Sequence, residues 1–307
     1  MKLIILGAAA GGGFPQWNCA CVNCRRARAG DKAARPRTQA ALAVSANGTD
    51  YVIINASPDL RQQILATPAL HPRTPPRDSP IAAVVLTGGD VDFTAGLLTL
   101  REHQPFALYA GVRIHGLLDA NPMFRVLAAD QVPRRRLEPD RPTALTDAAG
   151  RDLGITIEAF AVPGKIALYA EDTASPDLGS AAGDTLGLKI TGADGAGFFY
   201  IPACAAVPET LVRRLRNAPL LLFDGTLWHD NEMIDAGLLA KTGARMGHIS
   251  VSGPDGTLAS LAGASIGRKI FVHVNNSNPM ILEDSPEREQ AERAGWIVAH
   301  DGMELSL

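Results

Sequence analysis

The stretch Ile81-Ala-Ala-Val-Val-Leu86-Thr-Gly-Gly-Asp90-Val-Asp92-Phe93 joins six consecutive apolar residues to a turn bearing two carboxylates. The apolar run is short enough for a fully buried strand, and the pattern after Phe93 predicts a helix from Thr94 to about His103. Carboxylates at the carboxyl end of a buried strand are held by a rigid element yet face a crevice, which suits a metal site. The competing reading makes Asp92 a helix cap or a charge that favours the helix N-terminus.

The same alternation extends in both directions. Residues 2–7 read as a buried strand, and strands at about 38–46 and 51–55 flank Asn47-Gly48, a hairpin signal. Ser57 and Pro58 mark a helix start running towards Leu65. A strand is expected near 106–110, with short helices towards 128, and the proline-containing segment 129–150 reads as a connection. In the second half strands are expected near 153–161, 166–170, 185–191, 197–201, 219–223 and 269–274. An acidic loop spans 171–184, helices follow Val207-Pro208 and Ser285, and strands close the chain near 296–299 and 303–306. Two β-rich halves with outer helices predict an α/β fold, a four-layer α/β/β/α sandwich. The expected organisation is one domain over 1–307 with an inserted N-terminal cysteine loop at about 14–37.

Composition excludes several classes of function. The 29 Lys+Arg against 32 Asp+Glu give a net charge of −3, without the basic face that a nucleic-acid backbone requires. Arg134-Arg135-Arg136 reads as a solvated loop. Aromatics at 5% argue against a base-stacking surface, and Trp17, Trp228 and Trp296 read as packing residues. The segment Met1-Lys2-Leu3-Ile4-Ile5-Leu6-Gly7 is too short for an export signal, and no window is long enough for a membrane span. A soluble, cytoplasmic protein is the expectation, with neither nucleic acid nor membrane as partner.

Three of the four cysteines, Cys19, Cys21 and Cys24, lie within six positions, too close to staple distant segments. Thiolates at these spacings can wrap one soft cation, which points to structural zinc. Ordinary buried cysteines or a Cys21/Cys24 redox pair are the alternatives; a redox motif would open a helix. The fourth zinc position is open to Cys204, His248 or His273. His273 ends another predicted buried strand and enters Val274-Asn-Asn-Ser-Asn-Pro279. His248 and the cluster Asp224-Gly225-Thr226-Leu-Trp228-His229-Asp230 fall on loops and read as turns. No G-x-S-x-G elbow is present.

Taken together and in order, these segments resemble the metallo-β-lactamase superfamily over essentially the whole chain. That superfamily's signature, H-x-H-x-D-H, matches the stretch from Gly88 to Phe93. Asp92 is retained, whereas Gly88, Asp90 and Phe93 stand at histidine positions. The resemblance further aligns Asn55 with a first-motif aspartate, Gly164 with the middle histidine, Ala203 with the bridging aspartate and His273 with the final histidine. Within the superfamily, the stretches Ala9–Cys24, Asn55–Gln63, Phe223–Thr226, Met246–His248 and Phe271–Pro279 are similar to the B-protein family of pyrroloquinoline quinone (PQQ) biosynthesis. A more distant likeness is to the phosphonate-pathway cyclic phosphodiesterase, whose fourth structural-zinc ligand falls at Asn276 here.

The resemblance implies an iron-dependent hydroxylation of the tyrosine ring in a cross-linked Glu–Tyr precursor of PQQ, or else non-catalytic transport of the cofactor or a precursor. Hydrolase activity is not expected, because most ligands of a two-zinc site are replaced. The implied metals are zinc at Cys19, Cys21 and Cys24, and iron at Asp92 and His273 with Asp90. With Phe93 in place of an imidazole, Asp90, His248 or His229 is the expected substitute ligand. Implied partners are the small-molecule or dipeptide precursor and other PQQ biosynthesis proteins, with a homodimer left open.

Overall fold

The computed structural model describes residues 1–175 and 177–307. Its strands form two seven-stranded sheets. The first contains β1 (Lys2–Gly7), β2 (Ala41–Ser45), β3 (Tyr51–Ile54), β4 (Ile81–Val85), β5 (Ala107–Ala110), β6 (Arg134–Arg136) and, from the C-terminus, β14 (Glu304–Ser306). The second contains β7 (Pro142–Thr146), β8 (Asp152–Ala161), β9 (Leu186–Gly192), β10 (Gly197–Ile201), β11 (Leu220–Asp224), β12 (Arg268–Val272) and β13 (Trp296–Val298). Their orders, β14-β1-β2-β3-β4-β5-β6 and β7-β8-β9-β10-β11-β12-β13, follow one plan. The first three pairings in each are antiparallel and the last three parallel.

Apolar periodicity explains the layers. In β10, β11 and β12, Phe198, Tyr200, Leu220, Leu222, Ile270 and Val272 join the cluster shared with the first sheet. Their alternating neighbours Phe199, Ile201, Leu221, Phe223 and Phe271 belong to a second cluster with Leu211 and Leu215 of the helix Glu209–Leu215. Strands buried on both faces read as continuous apolar runs, as these do. The outer cluster also takes in Cys19, Cys24, Ala27 and Ala34, so the cysteine segment covers the second sheet. Phe271 stacks on Trp296 with ring centroids 4.0 Å apart. The architecture is the expected α/β/β/α sandwich.

Several local expectations are corrected. The segment 129–150 contains β6 and β7, edge strands whose largely exposed residues give no alternating signal, so Arg134-Arg135-Arg136 is a strand and not a loop. Instead of a strand at 166–170, a 3-10 turn covers Leu168–Ala170, because Pro163 and Gly164 end the sheet pairing. Ser57 does not cap its helix: that helix is Leu60–Ala66, and the Ser57 hydroxyl donates to Gln63 Oε1 at 3.0 Å. Trp17 is 85% exposed, lying on the loop outside both sheets, whereas Trp228 and Trp296 are buried. Among the described residues no helix is long and apolar enough to cross a membrane.

Candidate functional site

Loops leaving the carboxyl ends of parallel strands meet at one place, where open α/β sheets put their ligands. β3 leads to Asn55, β4 to Thr87–Asp92, β11 to Asp224 and Thr226, and β12 to His273. Asn55 is fully buried and adopts φ 63°, a left-handed conformation that asparagine tolerates. Its side chain donates to Thr87 Oγ1 at 2.8 Å and accepts from the Thr87 amide at 2.9 Å. Where the superfamily pattern has an aspartate, Asn55 therefore fixes the start of the acidic turn.

Asp90 occupies the N-cap of the short helix Val91–Thr94, but its carboxylate does not cap it. Oδ1 instead accepts from the Leu168 amide at 3.3 Å and lies 3.8 Å from Lys165 Nζ. Burial raises the Asp90 carboxyl above its ordinary value, against the opposing pull of Lys165. Asp92, in the first helical turn, directs Oδ2 to 3.7 Å from His273 Nε2. Gly11 gives Asp92 its room: a Cβ there would stand 2.6 Å from Asp92 Oδ2. The glycine run after β1 is thus a wall of the site, required for close approach.

His273 is buried at φ 57°, and its Nδ1 lies 2.8 Å from Thr226 Oγ1. His248 stacks against it, with ring centroids 5.1 Å apart, and its Nδ1 lies 2.7 Å from Asp224 Oδ2. Thr226 Oγ1 in turn donates to Asp224 Oδ1 at 2.6 Å. One assignment satisfies this network: both histidines carry the proton on Nδ1, and each Nε2 keeps a free lone pair. Burial opposes charging His248, but the Asp224 carboxylate outweighs it and holds the imidazole above its ordinary pKa. Asp224, His248 and His273 do present ligand atoms within 4.8 Å of one another. The Thr226 hydroxyl lies among them, so we read this group as the hydrogen-bonded support of a metal site whose donors are the Nε2 atoms.

The positions where histidines are missing are filled. The Phe93 ring lies 3.0 Å from where a Gly88 Cβ would stand, and its centroid is 5.7 Å from that of His273. A Cβ at Gly164 would collide with Thr185 Oγ1 at 2.2 Å. Asp90, Asp92, His248 and His273 line one cavity of about 270 Å³, together with Phe93, Ala203 and three cations, Lys165, Lys241 and Arg245. A more open cleft of about 650 Å³ shares His248 and contains His229. Of the substitute imidazoles weighed from sequence, His248 is therefore brought to the acidic turn and His229 is not.

A second cluster forms on the cysteine segment. Ligand atoms of Cys19, Cys21 and Cys24 lie within 4.8 Å of one another, and all four cysteines are unpaired. Cys21 caps the helix Val22–Arg28, with the Cys24 amide donating to Cys21 Sγ at 3.5 Å. The Cys21/Cys24 pair opens a helix, as a redox motif would, but it follows the glycine-rich turn after β1 and not a strand directly. Burial pushes the Cys24 thiol up to about 12. Neither Cys204, His248 nor His273 joins the trio. Its fourth side is Asn276, whose Nδ2 lies 3.2 Å from Cys19 Sγ, 3.3 Å from Cys24 Sγ and 3.8 Å from Cys21 Sγ. Asn276 Oδ1 is buried without a partner. Rotating the amide would aim that oxygen at the sulfurs, so a cation fits here by completing a set that is otherwise left unsatisfied.

A model of the beta-lactamase superfamily domain matches residues 50–274. Coenzyme PQQ synthesis protein B of Gluconacetobacter diazotrophicus is 54% identical over 307 residues, covering 100% of this chain and 99% of that protein. The protein of that name from Rhodopseudomonas palustris (strain BisB5) is 53% identical, with both chains fully covered. The chain belongs to the coenzyme PQQ synthesis protein B family. A crystal structure of Zn²⁺-bound PqqB from Methylobacterium extorquens superposes with a TM-score of 0.94 at 49% identity, covering 100% of each chain. A diphosphatase of the PhnP family shares the fold, with a TM-score of 0.70 at 20% identity over 99% of this chain and 96% of its own. Family membership gives the chain a part in PQQ biosynthesis, and the zinc-bound relative together with the two ligand clusters supports a metal cofactor.

Sequence reasoning placed His248 only among alternatives and passed over Asp224 and Thr226 as turn residues. The available signal was Asp224-Gly225-Thr226 at the carboxyl end of a buried strand, just as Asp90 and Asp92 lie on the turn beyond the carboxyl end of β4.

Proposed function

We propose that this protein is a cytoplasmic, metal-dependent oxygenase of PQQ biosynthesis that hydroxylates the tyrosine ring of a cross-linked Glu–Tyr precursor. The carrying observation is the convergence of His248, His273 and Asp92 on one cavity, with Asp90 beside them. Two imidazoles and a carboxylate on one face are the donor set of non-haem Fe²⁺ oxygenases, which leaves positions open for O₂ and substrate. Iron bound by these residues would supply the activation of O₂.

The chain's own residues supply the rest. Asp224 and Thr226 fix the tautomer and plane of both imidazoles. Asn55 and Gly11 set the position of the acidic turn, and the buried Phe93 ring fills the space beside Gly88 and His273. Cys19, Cys21 and Cys24, with Asn276, would hold a structural zinc. That site and His273 share one turn, so the whole of 1–307 is proposed to act as one unit with the cysteine loop built into it. Protein reconstituted with iron under anaerobic conditions should consume O₂ on mixing with the precursor and a two-electron reductant. One oxygen atom enters the ring and the other leaves as water, so that the product is one oxygen atom heavier. Iron-loaded protein that takes up no O₂ in the presence of saturating precursor and reductant would overturn the proposal.

A second reading, a non-catalytic carrier, draws support from the Phe93 ring at a ligand position. Phe93→His separates the two. Under the catalytic reading it raises metal affinity or turnover; a carrier that never used the metal shows no change in either.

A further inference from the structure

Opposite the acidic turn, the cavity wall carries Lys165, Lys241 and Arg245. Lys165 is held in place: its stem runs over Gly247, where a Cβ would stand 3.0 Å from Lys165 Cγ, and Gly247 has φ +85°. Its ammonium donates to Ile166 O at 3.1 Å and lies 3.8 Å from Asp90 and 3.6 Å from Glu171. Arg245 grips Glu171 through two bonds of 3.0 and 2.8 Å. Once a divalent cation offsets Asp90 and Asp92, three cations face the single carboxylate of Glu171. A cavity with that balance selects an anion.

The mouth is of different chemistry. Val91, Leu168, Tyr169 and Leu239 line it and are 54, 58, 46 and 42% exposed. The Tyr169 hydroxyl donates to Gly89 O at 2.7 Å, which fixes one side of this collar over the acidic turn. Exposed apolar side chains gathered at one opening are what a flat apolar ligand would cover.

We infer that Lys165, Lys241 and Arg245 form the carboxylate-binding subsite of this cavity, and that its occupant is an aromatic oligocarboxylate whose ring lies within the collar of Val91, Leu168, Tyr169 and Leu239. The inference rests on the reading that this cavity is the substrate site, but not on the chemistry carried out there. Lys165 is the main anchor, because of the three it is the one paired with the acidic turn, 3.8 Å from Asp90, as well as with Glu171.

The test is equilibrium binding, measured by calorimetry, of PQQ and of its trimethyl ester, which has the same ring without the charges. Wild-type protein should bind the free acid and lose most of that affinity for the ester. Lys165→Gln should weaken binding of the acid roughly 10- to 100-fold, as expected for a lost charge-assisted hydrogen bond, with no further loss for the ester. Lys241→Gln should act in the same direction, and Lys269→Gln on the far surface should change nothing. Equal affinity for acid and ester, no binding of PQQ by the wild type, or Lys165→Gln and Lys241→Gln both within twofold of wild type would overturn the assignment. Charge-dependent binding without any oxygenation would overturn the catalytic proposal and leave this one standing. Oxygenation with KM unchanged in Lys165→Gln would do the reverse.

Discussion

Replacing Thr226 by valine removes one hydroxyl and almost no volume, and it removes the centre of the histidine network. That hydroxyl lies 2.6 Å from Asp224 Oδ1, 2.8 Å from His273 Nδ1 and 3.0 Å from both His248 Nδ1 and His273 O. Asp224 Oδ1 retains the Thr226 amide at 2.9 Å, so it is weakened but not abandoned. His273 Nδ1 loses its side-chain partner inside the protein. A buried donor left unmade costs about 1–3 kcal/mol, and a lost bond to a carboxylate about 1.5–3 kcal/mol. Partial relaxation brings the expected destabilisation to roughly 2–4 kcal/mol. The functional consequence is separate from the stability loss. Without Thr226, nothing holds the His273 proton on Nδ1, and its Nε2 lone pair is no longer reserved for a cation. Losing such a support typically lowers metal affinity about 10- to 100-fold. Chelator competition measures the affinity and denaturant unfolding the stability. Thr226→Val with wild-type metal affinity would refute the assignment of Nε2 as the donor of His273, whatever happened to stability.

The other predictions concern separate parts of the molecule. Gly11→Ala should displace Asp92, because the new Cβ would stand 2.6 Å from its carboxylate oxygen; metal affinity at the histidine site should drop while zinc at the cysteine loop stays bound, as metal analysis would show. Asn276→Ala should weaken zinc at Cys19, Cys21 and Cys24 at least tenfold in a chelator competition, whereas Asn276→Asp, which supplies an anionic oxygen, should retain or tighten it. Glu232 is buried and its carboxyl is raised from an ordinary 4.5 to about 7 by desolvation. The folded protein therefore binds more protons than the unfolded chain between those values, and stability falls as pH rises from about 4.5 to about 7, at up to about 1.4 kcal/mol per pH unit. Glu232→Gln should flatten that slope in denaturant unfolding measured across the same range.

Much of the fold was legible because it rests on apolar continuity. The run Ile81–Leu86 and the runs at 219–223 and 269–274 are strands buried on both faces, and such strands leave their signature in composition alone. The edge strands β6 and β7 left none: their side chains are largely exposed, so no periodicity separates them from loop. The turn at Leu168–Ala170 was misread as a strand because its apolar residues serve the mouth of the cavity and not the core.

At the site, the spacing of Cys19, Cys21 and Cys24 spoke for itself, since three thiols on one short segment need no tertiary information to be read as a cluster. His248 could not be ranked, because it is brought to His273 only by the path of the chain after β11. What selects it is a carboxylate 24 residues earlier, Asp224. Lys165 and Arg245 were equally silent, as isolated cations whose meaning comes from facing Asp90 and Glu171 across a cavity. Nothing in the sequence around Gly11 marks it as a site residue, and only the position of Asp92 shows why no larger residue fits.

The central claim is that His248, His273 and Asp92 form one metal centre, distinct from the cysteine cluster. Crystals of the protein purified with its native metal, measured with anomalous scattering at the zinc and iron absorption edges, test it directly. The account predicts one zinc peak among Cys19, Cys21 and Cys24, and a second metal peak within bonding distance of Nε2 of both histidines and an oxygen of Asp92. A metal bound instead on the Nδ1 side, among Asp224, His248 and His273, or two histidines with no metal between them at saturating iron, would contradict it.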